Sequence, residues 1–144
     1  SIVAPFAAGI EPAFLDRRRG PDVWTIREHL YHIAGVQMLL LGRMKTIRDV
    51  PSPVIEPYFP QNEEKLDRRY GSLREALSEY ERLRGEQVRL VRSCSPEELE
   101  RCAEHKEYTR YTIPVIVRHM IFHEYWHMYR IEELWLTRDE YFGG

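Results

Sequence analysis

The stretch Ile113–Leu136, IPVIVRHMIFHEYWHMYRIEELWL, decides the reading of the fold. Thr112, followed two residues later by Pro114, is a modest helix start, because proline is tolerated in a first turn. Beyond it nearly every turn is apolar or aromatic. The spacing predicts one long helix buried around much of its circumference. His119, His123 and His127 fall on that helix at i, i+4 and i+8, one above another. Successive Cβ atoms in such a row lie about 6 Å apart. Two imidazoles so placed can converge on one ion through bonds of about 2.0–2.1 Å. A straight helix face cannot wrap an ion, so a third imidazole must come from another helix.

Working outward, capping signals place the other helices. Thr25-Ile-Arg-Glu28 opens a run to about Arg48 whose apolar residues are Ile26, Leu30, Ile33, Leu40, Met44 and Ile47. Ser72-Leu-Arg-Glu75 opens another to about Arg92, with Leu73, Leu77, Tyr80, Leu83, Val88 and Val91. In both, a hydroxyl accepts from an early N–H while a glutamate reaches back toward the cap. Ser95-Pro-Glu-Glu98 repeats the pattern, with Pro96 at the first helical position. Ile2–Arg18 suits an opening helix, whose limits Pro5 and Pro12 blur. Counting that helix as the first, the second and third are joined by Asp49–Pro60, which carries Pro51, Pro53, Pro57 and Pro60. So many prolines forbid regular helix and favour an extended crossover. A long crossover lets consecutive helices point the same way. Cys102–Tyr111 is polar and suits a loop or short hairpin, and no set of strands able to build a sheet is visible. The expected fold is all-α: a four-helix bundle, one domain over residues 1–144, with a long proline-rich crossover between the second and third helices.

Composition narrows the function classes. The 144 residues are 43% hydrophobic and 31% charged, with a net charge of −2. That balance suits an ordinary folded domain and gives no reason to expect nucleic acid or an anionic membrane as partner. Acids and arginines interleave in Asp67–Glu75 and Glu79–Arg84, the pattern of a solvated helix face. Cys94 and Cys102 make no framework or CxxC pair and read as reduced thiols, which with no apolar run of membrane length and no secretory leader pattern points to the cytoplasm.

For the third imidazole the residues offer His32 and His29. At about 100° per residue, His29 lies nearer the centre of the apolar stripe and His32 toward its border. Periodicity does not choose between them. His105, in a polar segment, is expected to face solvent. His123-Glu124-Tyr-Trp-His127 also matches HExxH, in which the glutamate of a zinc peptidase is the general base. However, Arg130 and Glu133 stand where the metzincin extension needs glycine and histidine, which argues against a peptidase.

Two signatures together resemble the DinB/YfiT-like superfamily of metal-binding bundles. Trp24-Thr-Ile-Arg-Glu28-His-Leu-Tyr-His32-Ile looks like the family's tryptophan, capping hydroxyl, glutamate and ligand histidine, and Arg43 falls where the family commonly carries arginine. His119-Met-Ile-Phe-His123-Glu124-Tyr-Trp-His127 resembles its closing helix, in which two histidines four apart supply two ligands. The likeness spans Trp24 to about Leu134. It implies an up-down-down-up order of helices, a metal site of His32, His123 and His127, and frequently a homodimer. It also favours His32 over His29. Where the family often continues Arg-Gly-Gln-Ile after the last ligand, this chain has Met128-Tyr129-Arg130-Ile131, so any role of that glutamine does not carry over.

Three neutral imidazoles leave a divalent ion its full charge and an open position, where bound water or thiol becomes more acidic. Relatives include thiol S-transferases and isomerases that use bacillithiol or mycothiol. By that analogy the first expectation is a metal-dependent, thiol-using S-transferase, with a low-molecular-weight thiol and an electrophilic small molecule as partners. Hydrolysis with Glu124 as general base and a non-catalytic metal-binding or stress-response protein are the alternatives. Glu28, His119 and Glu124 are candidates to orient the ligand imidazoles, Glu28 being the better helix cap. Zinc, nickel and iron all suit such a ligand set.

Overall fold

The computed structural model describes residues 2–58 and 69–142. The N-terminal segment forms two short helices, α1 (Val3–Ala8) and α2 (Pro12–Leu15), where the sequence suggested one opening helix through Arg18. Pro12 starts the second of them, since its ring and missing N–H do not let α1 run on.

The long helix α3 (Ile26–Asp49) begins at the capping box read from the sequence. Thr25 Oγ1 accepts from the Glu28 N–H at 3.2 Å, and Glu28 Oε2 accepts from the Thr25 N–H at 2.6 Å. After it, β1 (Val54–Ile55) lies within the crossover, whose Phe59 and Pro60 fall outside the described residues, as do Asp67 and Arg68 of the interleaved charge tract. The helix α4 (Leu73–Ser93) starts at Ser72, which accepts from the Glu75 N–H at 3.1 Å. Here Glu75 takes the N–H of Gly71 at 2.8 Å, one residue before the cap. A full capping box at Ser95 opens the short helix α5 (Pro96–Glu100). Next, β2 (Glu104–His105) pairs in parallel with β1, placing Val54 opposite Glu104 and Ile55 opposite His105. An antiparallel bridge between Ala103 and Tyr111 closes the polar segment into a hairpin-like return, and that small parallel pair is a feature the sequence reading lacked. It also corrects the expectation for His105. Its ring is only 8% exposed, lying against Tyr111 and Tyr108, because β1 pins its backbone inward. Last comes α6 (Ile113–Leu136), capped by Thr112, and then a 3-10 turn at Asp139–Tyr141.

Helix α3 packs against both α4 and α6. Two apolar clusters result. Ile26, Leu30, Ile33 and Ala34 from the first half of α3 join Ala76 and Tyr80 of α4, Ile131 and Leu134 of α6, and Val3 and Ala7 of α1. Leu41, Met44 and Ile47 from its second half join Leu83 and Leu90 of α4 and Ile113, Ile116 and Met120 of α6. Each fully buried aliphatic side chain in such a cluster contributes roughly 1.5–3 kcal/mol.

Between the clusters runs a polar layer. Gln37 is fully buried, and its Nε2 donates to the Ile33 carbonyl at 2.8 Å and toward Glu124 Oε1 at 3.3 Å. Gln87 Nε2 donates to the Gln37 carbonyl at 3.0 Å, and Arg84 donates to Gln37 Oε1 at 3.2 Å and ion-pairs with Glu124. This layer ties α3, α4 and α6 together, because a buried charge or amide is stabilised by the partners it finds on the facing helix. Among the described residues no helix is long and apolar enough to cross a membrane.

Candidate metal centre

Two turns beyond the Thr25 cap, α3 carries His32 on the side that faces α6. From α6, His123 and His127 project one turn apart toward it. The three Nε2 atoms converge: His32 to His123 at 3.0 Å and His127 to His123 at 3.1 Å. Their ligand atoms form one group within 4.8 Å of one another. Around a tetrahedral ion with bonds of about 2.0–2.1 Å, nitrogen atoms sit about 3.3–3.4 Å apart. A few tenths of an ångström of outward movement at each ring therefore gives the spacing an ion needs.

The electrostatics favour ligation. Burial holds His127 far below its ordinary value, at about 2, with the neighbouring His123, His32 and His29 adding to the effect. Burial also lowers His123. Both rings are thus neutral at pH 7, with lone pairs available, as a metal site requires.

His29 lies beside this cluster and lines the same cavity. Its Nδ1 lies 2.7 Å from His127 Nδ1, and burial, then Arg130 and His32, lower its pKa to about 4. Ligation through His127 Nε2 puts the His127 proton on Nδ1. That N–H then donates to His29 Nδ1, which leaves the His29 proton on Nε2. His29 so fixes both the tautomer and the ring angle of His127. The sequence offered His29 only as a rival ligand, and its contact with His127 Nδ1 was not readable from it.

Aromatic rings wall the site. Trp24, just before the cap, lies 5.2 Å from the His32 ring and stacks over His127 at 6.1 Å with 16° between planes. Trp126 meets His127 edge-on at 4.7 Å. With Asp22, Tyr129 and Arg130 they line a cavity of about 740 Å³ that opens directly onto the imidazoles. The separate groove along Gly35, Met38 and Gly42 is lined by no histidine among the described residues.

The other three candidates are placed away from the imidazoles. Glu28 takes Thr25 N–H and an Arg18 guanidinium N–H at 2.6 Å; burial opposes its ionisation, but these bonds outweigh it and hold the carboxyl below its usual range. Glu124, next to ligand-facing His123, turns into the core to Arg84 and Gln37, and burial pushes its carboxyl up against the pull of Arg84. His119 lies 5.2 Å from Tyr108 and 6.3 Å from Tyr111, nearer the start of α6.

Comparison with known proteins agrees with the helical fold. The solved structure described as "YfiT from Bacillus subtilis is a probable metal-dependent hydrolase with an unusual four-helix bundle topology" superposes with a TM-score of 0.76 at 22% identity, covering 92% of this chain and 77% of that one. At that identity the likeness is one of fold. No curated protein matches the sequence. The family model for the DinB superfamily matches residues 2–138. The chain therefore belongs to the DinB superfamily.

Proposed function

We propose that the protein is a metal-dependent enzyme that holds one divalent ion through His32, His123 and His127 and transfers a small thiol to an electrophile. The observation that carries the reading is the convergence of three Nε2 atoms, 3.0 and 3.1 Å apart, at the floor of an aromatic-walled cavity. An ion held by three neutral imidazoles keeps its charge and lowers the pKa of water or thiol at an open position. His29 holds the His127 proton at Nδ1, which keeps Nε2 free for ligation. Trp24 and Trp126 exclude water from the sides and offer apolar contact to the substrate. In support of the family's up-down-down-up order, the first halves of α3 and α4 share one apolar cluster, whereas α6 contributes its last half to it.

Hydrolysis is the second reading, consistent with the description of the similar solved structure. The general base that the sequence suggested for it, Glu124, is engaged by Arg84 in the core, outside the cavity lining, whose carboxylate is Asp22. A bound thiol, once acidified, is itself the nucleophile, as bound hydroxide would be in hydrolysis, so turnover separates the two readings. Metal-loaded and metal-free protein should be offered bacillithiol, mycothiol or glutathione with a model electrophile such as a chloro-dinitroarene. Turnover that requires both thiol and metal is the expected result. Metal-dependent ester or amide cleavage without thiol would replace this reading with hydrolysis.

A further inference from the structure

Among the described residues that line the imidazole cavity, Arg130 carries the sole permanent positive charge and Asp22 the sole negative one. Arg130 follows His127 by three residues and His123 by seven, so the three share one face of α6. It stands about 4.5 Å further along the helix axis than His127. Burial, then the Arg130 charge, hold His29 below its ordinary value, so the guanidinium lies within electrostatic range of the cavity's imidazoles.

Arg130 Nη1 donates to Glu133, a residue outside the cavity lining. A guanidinium has five N–H donors in a fixed fork, and among the described residues no other group accepts from this one. The remaining donors belong to a side chain that is 35% exposed and borders the cavity. Val23, Trp24, Trp126 and Tyr129 make the rest of the wall largely apolar. With a divalent ion on His32, His123 and His127 the lining is net positive, since Asp22 is its only anion. Such a cavity favours a ligand that is apolar along its length and negative at one end. The charge also marks a departure of this chain from its family, where a neutral glutamine often stands three residues after the last ligand.

We infer that Arg130 is a specificity-determining residue that receives a carboxylate of the molecule bound in this cavity. The cavity therefore selects acidic substrates over neutral ones of the same shape. A guanidinium and a carboxylate pair through two parallel N–H···O bonds, which fix the direction of the ligand as well as its charge. The inference rests on the proposed metal site and is independent of whether the reaction is thiol transfer or hydrolysis. The carboxylate can belong to a thiol that ligates the ion or to an aromatic electrophile beside it. Both offer Arg130 the same chemistry, and two binding measurements separate them.

The full chain without an affinity tag, loaded with cobalt, reports thiol binding through its thiolate-to-metal charge-transfer band. Mercaptopropionate and uncharged mercaptopropanol are the probes. Zinc-loaded protein reports the other source through quenching of tryptophan fluorescence by dinitrobenzoate and uncharged dinitrobenzene. In at least one pair the acid should bind about tenfold or more tightly than its neutral analogue. Arg130→Gln should erase that margin while leaving the affinity for the neutral probe and the metal content unchanged. Arg130→Lys keeps the charge without the fork and should retain part of the margin. Glu133→Gln removes the competing carboxylate and should widen it. A margin in the thiol pair assigns the carboxylate to the thiol, and one in the aromatic pair assigns it to the electrophile. Equal affinities within both pairs overturn the inference. So does an acid preference that survives Arg130→Gln, as direct chelation of the metal would produce. Elemental analysis of the same samples tells this apart from failure of the metal site: protein that takes up neither cobalt nor zinc sinks that reading, and this inference with it.

Discussion

Two polar clusters lie one turn apart in this bundle, and adjacent residues of α6 feed them: His123 the imidazole site, Glu124 the layer with Gln37, Arg84 and Gln87. In the layer a guanidinium meets a carboxylate and amides donate to oxygens across three helices, although Arg84 Nε and Gln87 Oε1 find no hydrogen-bond partner among the described residues. In the imidazole site three ring nitrogens aim at one point beside an open cavity. Burial of polar groups is common to both and says little about function. The kind of pairing is what separates them: the layer, where a cation meets an anion, specifies packing, and the site where like ring nitrogens converge beside a cavity suits a cation.

Single substitutions should break this comparison in opposite directions. His123→Ala should abolish stoichiometric binding of zinc or nickel, measured by elemental analysis of untagged protein, and leave the metal-free stability within about 1 kcal/mol, since His123 is only half-buried. Arg84→Met should keep the metal and lose about 3–5 kcal/mol in urea unfolding, because it strands the buried Glu124 carboxylate. Pairing it with Glu124→Leu should recover much of that loss. If His123→Ala kept its ion, or Arg84→Met cost nothing, the division into ligand site and packing layer would be wrong.

A smaller effect sharpens the boundary of the metal site. His29→Leu preserves bulk but removes the acceptor for His127 Nδ1, and loss of such an outer partner typically lowers metal affinity about 10–100-fold. Competition with a chelator reads this directly. An unchanged affinity would make His29 a packing residue only.

The smallest effect is on pH dependence. His29 and His127 have folded pKa values of about 4 and about 2, below the ordinary value of 6.5. The unfolded chain therefore takes up their protons first as pH falls. Their contribution is complete above about 6.5 and declines progressively toward the folded values. Metal-free protein should show a lower urea midpoint at pH 5 than at pH 7.5, and His29→Leu should reduce the difference. A midpoint that rises toward pH 5 would contradict burial of the two rings as neutral groups.

How much of this was legible beforehand varied with the range of the interactions. Helix starts at Thr25, Ser72, Ser95 and Thr112 were readable because a cap is a contact over three residues. His123 and His127 were readable as a pair because one helical turn fixes their spacing. The choice of His32 over His29 was not available from periodicity. Both rings reach the α6 histidines, and only the docking of α3 on α6 decides that His32 Nε2 meets His123 Nε2 while His29 Nδ1 meets His127 Nδ1. Arg84 was hidden more deeply, within a charged tract whose composition resembles a solvated face.

The sequence by itself determined the helical segments, the caps that begin them and the two imidazoles that one closing helix offers together. Those follow from backbone hydrogen bonds and side-chain spacing over a few residues. Only the tertiary structure decided which histidine of α3 meets them, that Glu124 turns to Arg84, and which aromatic rings enclose the cavity. Each of these depends on how helices far apart in the chain pack side by side, where a small rotation exchanges one side chain for another.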